Sequence, residues 1–392
     1  MRPKHEVADV LNRNKYRLSS YCSNSWQERT LHALRKCRTA DLGGHVDQCD
    51  SCGNLSISYN SCRNRHCPKC QGEQREAWIQ ARENELLPVP YFHVVFTLPE
   101  QVNPLCLYAP AKVYRLLFST AWSVMQSFAK DAKHLGAKPA MIAVLHTWGQ
   151  NLSSHPHLHC IVPGGGVTKQ GKWKPARNKG KFLFPVNAMS KVFRARLVAG
   201  LRKAFPEKEK AFFASLFEKP WVVYAKRPFQ HPKAVVEYLG RYTHKIAISN
   251  HRLISLDNGQ VTFSYKDYRK GAQKQQMSLT DKEFIRRFSQ HILPRGFVRI
   301  RHYGFLSSRW KSERLPDLQR MLGPTVAPDD QEEPVSHRKC CACGNGTLHT
   351  MNMFYGRAPP KVWIERVSTR PSTCFLAMTE GVLLLEIPIY GT

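Results

Sequence analysis

Acidic residues are scarce in this 392-residue chain: 29 Asp and Glu face 59 Lys and Arg, a formal charge of +30. The excess argues against a cationic partner and predicts a polyanionic one. Long apolar runs are missing as well. No stretch approaches the roughly 18 residues of a membrane-crossing helix, and residues 1–17 are polar and charged, unlike a secretory leader. These features predict a soluble, cytoplasmic protein with no membrane partner. The chain lacks a Gly-x4-Gly-Lys-Ser/Thr phosphate loop, so no nucleotide cofactor is expected, and no short-period repeat is visible. Apolar material is sufficient, at 42% hydrophobic and 10% aromatic. That supports packed cores in two or three domains and excludes a wholly disordered or fibrous chain.

The thirteen cysteines are unevenly spread, most of them crowding into 37–70 and 340–343. Such clustering favours metal over disulfides. Cys49-x2-Cys52 and Cys67-x2-Cys70 are two knuckles with 14 residues between them, a spacing at which two chelating turns converge on one tetrahedral zinc. Cys37, His45, Cys62 and His66 add four more donors, enough for a second zinc. Residues 29–71 have little apolar periodicity, so metal is expected to hold this segment together. Arg63, Arg65 and Lys69 sit between the donors and would present cations to phosphates. The alternative is a zinc module that only props the next domain. Cys340, Cys341 and Cys343 make a half-knuckle whose nearby complements are His337, His349 and Cys374.

Periodicity gives the rest of the outline. Helices are predicted over 72–87, 113–128, 191–205, 208–217 and 233–242, and strands over 92–98, 140–147, 157–162 and 221–225. Asp257-Asn258-Gly259 between 252–256 and 261–266 reads as a hairpin with a type I′ turn, and Thr280 as the cap of a helix over 281–290. Pro and acidic residues after Gly323 suggest a linker. The expected organisation is a zinc-binding, DNA-binding domain at 1–87, a larger domain at 88–322, and a linker with tail at 323–392.

Two motifs carry chemistry. In His155-Pro156-His157-Leu158-His159 three imidazoles recur at every second position, so a strand would direct them to one face. His157 and His159 would hold a divalent cation open to substrate. His155 is a third candidate ligand, although it precedes a proline, and Gln150 and Glu237 are others. Further on, Tyr238 and Tyr242 stand four apart, on one face of a helix. Arg241 and Lys245 beside them could clamp phosphates or form a solvated face.

His157-Leu158-His159 resembles the histidine-hydrophobic-histidine (HUH) motif of single-strand endonucleases. Tyr238 with Tyr242 resembles the two-tyrosine motif of rolling-circle transposases of bacterial insertion sequences, which share the order zinc ribbon, histidine strand, tyrosine helix. The resemblance runs from about residue 31 to 323, and the tail after Gly346 departs from it. It implies an α+β fold with a central antiparallel sheet of ferredoxin or RNA-recognition type behind an N-terminal zinc ribbon. It further implies a metal-dependent tyrosine transposase of the bacterial cytoplasm, using structural Zn²⁺ and catalytic Mg²⁺ or Mn²⁺. Its partner would be single-stranded DNA from element ends and target, attacked by Tyr238 and Tyr242. Competing readings are a replication initiator or relaxase using the same nicking, and a zinc-dependent DNA-binding regulator without catalysis.

Overall fold

Two bodies share the chain in a computed structural model, which describes residues 3–70, 78–79, 81–82, 84–177, 183–229, 235, 240, 245–267, 270–323, 338–356 and 358–368. The first comprises Met1–His32 and Arg65–Ala327, the second Ala33–Asn64 and Pro328–Thr392. In chain order the strands are β1 (Gly44–Cys49), β2 (Leu55–Tyr59), β3 (Tyr91–Thr97), β4 (Met141–Trp148), β5 (Ser154–Pro163), β6 (Gly165–Val167), β7 (Trp173–Pro175), β8 (Val223–Phe229), β9 (Leu253–Ser255), β10 (Gln260–Asp267), β11 (Gln273–Thr280), β12 (Ile300–Tyr303) and β13 (Leu348–Phe354). The α-helices are α1 (Val7–Arg13), α2 (Ser25–Arg35), α3 (Asn103–Tyr108), α4 (Pro110–Lys130), α5 (Val186–Ala204), α6 (Lys210–Ser215), α7 (Asp281–Gln290), α8 (Ser308–Leu322) and α9 (Lys361–Ser368). Among the described residues no helix is long and apolar enough to cross a membrane.

The first body is built on a five-stranded antiparallel sheet in the order β12-β4-β5-β3-β8. Alternation along its strands decides what each face carries. Phe92, Val94 and Phe96 of β3, Met141, Ala143 and Leu145 of β4, and Leu158, Cys160 and Val162 of β5 share one buried cluster with α4 and α5. Helix α4 begins with Pro at its first position and sets Val113, Leu117, Phe118, Ala121, Val124 and Met125 at three- and four-residue intervals, all buried. Each large side chain of that stripe contributes about 1.5–3 kcal/mol. Truncating the fully buried Phe118 to Ala would cost about 3–5 kcal/mol. On the opposite face one end of the sheet is apolar, where Tyr91, Ile142 and Ile161 pack with Leu315 and Leu318 of α8 and with Val235. The other end of that face carries histidines.

A second sheet of the same body, β11-β10-β9, contains the expected hairpin. Asn258 and Gly259 take φ values of 47° and 71°, the left-handed pair a type I′ turn requires. Its third strand, β11, is polar and alternates between exposed and half-buried residues, which is why periodicity gave no sign of it. Thr280 caps α7 as expected, its Oγ1 accepting from the Glu283 N–H at 3.3 Å. Helix α1, which the sequence reading did not foresee, is tied to the start of α7: Arg13 Nη2 donates to Asp281 Oδ1 at 2.6 Å and Asn14 Nδ2 to Asp281 Oδ2 at 2.9 Å.

The second body departs from the expected domain map. Strand β13 pairs with β1 from Gly44↔Phe354 to Cys49↔Leu348, and β2 pairs with the other edge of β1. Chain after the predicted linker therefore returns to the segment before residue 64, because β1 needs a partner on each edge. Among the described residues its apolar cluster is small: Val46, Leu55, Phe354 and Val367, with Ile57, Tyr59 and Trp363 packed around them.

The histidine face and the cysteine knuckles

The registers of three strands bring four imidazoles to one face of the five-stranded sheet. Val95 is opposite His159 and Thr97 opposite His157 across β3 and β5, while His146 of β4 faces His157 directly. His93 lies two residues before Val95 and so shares this face. His146, His157 and His159 each offer a ring nitrogen, all within 4.8 Å of one another. His155 is exposed at the start of β5 and stands outside this group. His146 was missed in the sequence. The signal available was its place in an apolar, strand-forming run; that this strand lies beside β5 is decided by the register.

Hydrogen bonds specify which nitrogens are available. His157 Nδ1 lies 2.6 Å from the His155 carbonyl oxygen. A carbonyl only accepts, so Nδ1 carries the proton and Nε2 keeps its lone pair. His157 Nε2 and His159 Nε2 are 3.0 Å apart, close to the cis separation of about 3.0 Å that an octahedral cation with bonds of about 2.1 Å imposes. His159 Nδ1 in turn meets His93 Nε2 at 2.8 Å. With its Nε2 presented to a cation, His159 donates from Nδ1 and the buried His93 accepts, as an outer partner orients a metal ligand. Burial pushes His157 down to about 3, helped by the charges of His155 and Lys245. Burial, followed by the charges of His146 and His157, holds His159 well below the usual histidine range. Both rings therefore stay neutral and able to ligate at physiological pH. Two neutral imidazoles, His157 with its proton fixed on Nδ1, and the His146 ring beside them fit a divalent cation.

The surroundings tie down the rim. Trp148 stacks on His146 with ring centroids 4.8 Å apart, and the Arg299 guanidinium lies 5.9 Å over Trp148. Arg299 donates to the Lys245 carbonyl at 3.0 Å. His291 is not a ligand, since its nitrogens meet Thr147 Oγ1 at 3.2 Å and the Leu152 carbonyl at 3.1 Å. Gln150 receives at its carbonyl a hydrogen bond from Arg252. Tyr238, Tyr242, Arg241 and Glu237 lie outside the described residues.

In the second body the cysteines are partitioned differently from the expectation. The structure brings Cys49 and Cys52 together with Cys340 and Cys343, all four sulfurs within 4.8 Å, and not with Cys67 and Cys70, which belong to the first body. Each half is the same turn. The Gly53 N–H donates to the Cys49 carbonyl at 3.0 Å and the Gly344 N–H to the Cys340 carbonyl at 2.9 Å, with φ of 64° and 75° at the two glycines. Cys-x-x-Cys-Gly-Asn occurs at 49–54 and again at 340–345. That repeated hexapeptide is the signal from which the pairing could have been read. Cys37 and Cys62 are also neighbours in this body, the Cys62 N–H reaching Cys37 Sγ at 3.4 Å. Two imidazoles expected at a second zinc have other partners. His45 Nε2 is 3.2 Å from Asp47 Oδ2, and the buried His66 accepts the Leu293 N–H at 3.3 Å.

The three basic residues between the knuckles also differ in role. Arg63 is exposed. Arg65 donates to the carbonyls of Phe297 and Pro294, and Lys69 pairs with Glu6 at 2.5 Å.

Comparison with known proteins gives this geometry a family. Residues 140–314, which include β4, β5 and the histidines, match the family model described as "Putative transposase", and residues 10–98 match the transposase zinc-binding domain. The chain is 43% identical over 390 residues to a protein of Sinorhizobium fredii named "Putative transposase y4qJ", covering 91% of this chain and 98% of that protein. The chain belongs to this transposase family. It is also 28% identical over 343 residues to the transposase for insertion sequence element IS801 of Pseudomonas savastanoi pv. phaseolicola, covering 82% of each. No solved structure matches the transposase significantly. The zinc-binding match and the cysteine groups together support Zn²⁺ as a structural metal.

Proposed function

We propose that this transposase nicks and rejoins single-stranded DNA through a 5′-phosphotyrosine intermediate, moving an insertion sequence by a rolling-circle-like route. The observation that carries this reading is the face on which His146, His157 and His159 converge within 4.8 Å, with the His157 proton fixed on Nδ1 by a carbonyl. Such a set suits Mg²⁺ or Mn²⁺, which when bound supplies positive charge to a non-bridging phosphate oxygen.

The chain's own groups do the rest. Tyr238 or Tyr242 provides a phenolic oxygen that attacks the phosphorus in line. The new bond joins that oxygen to phosphorus, the bond to the 3′ oxygen breaks, the leaving oxygen gains a proton, and the phenolic proton passes to solvent. A phenol of pKa about 10 is a poor nucleophile at neutral pH, so a positive environment matters. Lys245, three residues after Tyr242, adds its charge to the histidine face. Because the ester keeps the energy of the broken linkage, a 3′-hydroxyl can attack it and restore a phosphodiester without ATP. A second tyrosine allows a second attack. Both flanks of the tyrosine segment belong to the body that bears the histidines: Val235 packs beside Tyr91 and Leu318, and the Lys245 carbonyl is held by Arg299.

The DNA partner accords with the charge of +30, and exposed Arg63 and Lys245 are the basic side chains we assign to phosphates, with Arg241. The matched zinc-binding segment contains Cys22, Cys37, Cys49, Cys52, Cys62, Cys67 and Cys70.

Incubation of the purified protein with labelled single-stranded element-end DNA and Mn²⁺ tests the reading. A covalent protein–DNA adduct is expected, and it should vanish when Tyr238 and Tyr242 are both replaced by Phe. Intact binding with no adduct from the unaltered protein would leave only a DNA-binding regulator.

A further inference from the structure

We infer that a structural zinc is held by two thiolate pairs drawn from distant parts of the chain, Cys49 with Cys52 and Cys340 with Cys343, so that the C-terminal segment is an integral half of the second body. The zinc-binding family match ends at residue 98 and does not extend to the second pair. Four observations carry the inference.

The first is distance. Cys49 Sγ to Cys343 Sγ and Cys52 Sγ to Cys340 Sγ are both 3.7 Å. A tetrahedron with Zn–S bonds of about 2.3 Å has edges of about 3.8 Å, whereas a disulfide would bring sulfurs to about 2.05 Å. The second is the pairing of like turns described above, each offering two thiols from one Cys-x-x-Cys-Gly.

The third is support around the sulfurs. The Gly346 N–H points at Cys343 Sγ from 3.3 Å, the polarising contact that a thiolate ligand receives from backbone. The Asp50 carboxylate accepts from the Thr347 N–H at 2.9 Å, locking one knuckle to the strand that follows the other. A Cβ on Gly346 would lie 2.3 Å from Cys49 Sγ, so only glycine admits this approach. The fourth is need. Among the described residues the second body's apolar cluster is Val46, Leu55, Phe354 and Val367 with Ile57, Tyr59 and Trp363 against it, little apolar burial to order three strands against chain entropy. Cysteines packed merely as small hydrophobes would not explain Cys52, which is exposed.

Zinc content of the full-length protein tests the assignment. Cys340→Ser with Cys343→Ser should lower bound zinc by one equivalent per chain, Cys49→Ser with Cys52→Ser should lower it by the same one, and all four changes together should lower it no further. Unchanged zinc in the C-terminal pair variant, or a loss of two equivalents in the fourfold variant, overturns the inference. Cobalt substitution keeps the test independent of misfolding. Cys343→His retains four donors, and its cobalt protein should lose part of the thiolate-to-metal charge-transfer band relative to the unaltered protein. An unchanged spectrum would equally refute the site. The test does not depend on the tyrosine chemistry, because it reads metal and not strand transfer.

Discussion

The two bodies bring metal donors together in opposite ways. On the five-stranded sheet, β3, β4 and β5 are positioned by an apolar core against α4 and α5, and the imidazoles of His146, His157 and His159 fall into place as a by-product of alternation and register. In the second body the donors come first. Two Cys-x-x-Cys-Gly turns face each other, and among the described residues few apolar side chains lie behind them. A preformed sheet can present neutral nitrogens to a cation that comes and goes with substrate. A body with a minimal core depends on its metal for its fold. One arrangement suits chemistry at an open site, the other suits structure at a closed one.

That contrast is broken most directly by chelation. Stripping metal with a strong chelator at neutral pH should abolish amide protection in β1, β2 and β13, since zinc binding of this kind is worth about 10–16 kcal/mol. Protection in β4 and β5 should persist, and hydrogen exchange read by mass spectrometry distinguishes the two. Equal loss in both sheets would mean that the larger body also depends on metal.

Within the histidine face, His146→Ala should reduce Mn²⁺-dependent cleavage by at least about 100-fold, and because the ring is buried and stacked on Trp148 it should lower thermal stability as well; a melt of the variant separates the two effects, since the protein should remain folded at the assay temperature. His93→Phe sharpens the same point. His93 stands outside the three-imidazole group and meets His159 Nδ1, so Mn²⁺ affinity should weaken by about 10–100-fold, and His93→Gln, which keeps an acceptor, should recover part of it. Titration of Mn²⁺ against cleavage rate measures both.

The smallest expected effect lies far from either metal. Glu283 is held at about 2 by hydrogen bonds and charge from Arg286 and then Arg287. Its folded value is below the unfolded one, so its stabilisation is present above about pH 4.5 and fades as pH falls toward 2. The ion pairs are half exposed, so Glu283→Gln should cost only about 0.5–1 kcal/mol at pH 7 and a small fraction of that at pH 2. Denaturant melts at the two pH values check the sign.

Much of the larger body could be read from residues alone. The strand before Pro99, the long helix after Pro110, the Asn258-Gly259 turn and the Thr280 cap all follow from short-range rules, and the structure has each of them. His157 and His159 were readable because a period of two within one strand is a local property. His146 was not, because its partnership with His157 depends on β4 lying beside β5, which no spacing along the chain encodes. Helix α8 was hidden by Pro316 inside it, and β11 by its glutamines. The knuckle at 49–52 was legible as a metal turn, but proximity in sequence pointed to Cys67 and Cys70, while the structure sets Cys340 and Cys343 opposite it.

Sequence by itself determined the inventory: a cationic chain, two kinds of donor, a histidine strand, a tyrosine pair and the turns between them. These are consequences of side-chain chemistry and of backbone preferences that act over a few residues. Tertiary structure decided the pairings, His146 with His157 and His159, His93 behind His159, and the C-terminal knuckle with the N-terminal one. Those choices rest on strand register and on which edges of β1 and β4 remain to be satisfied, and backbone hydrogen bonding resolves them only when distant segments meet.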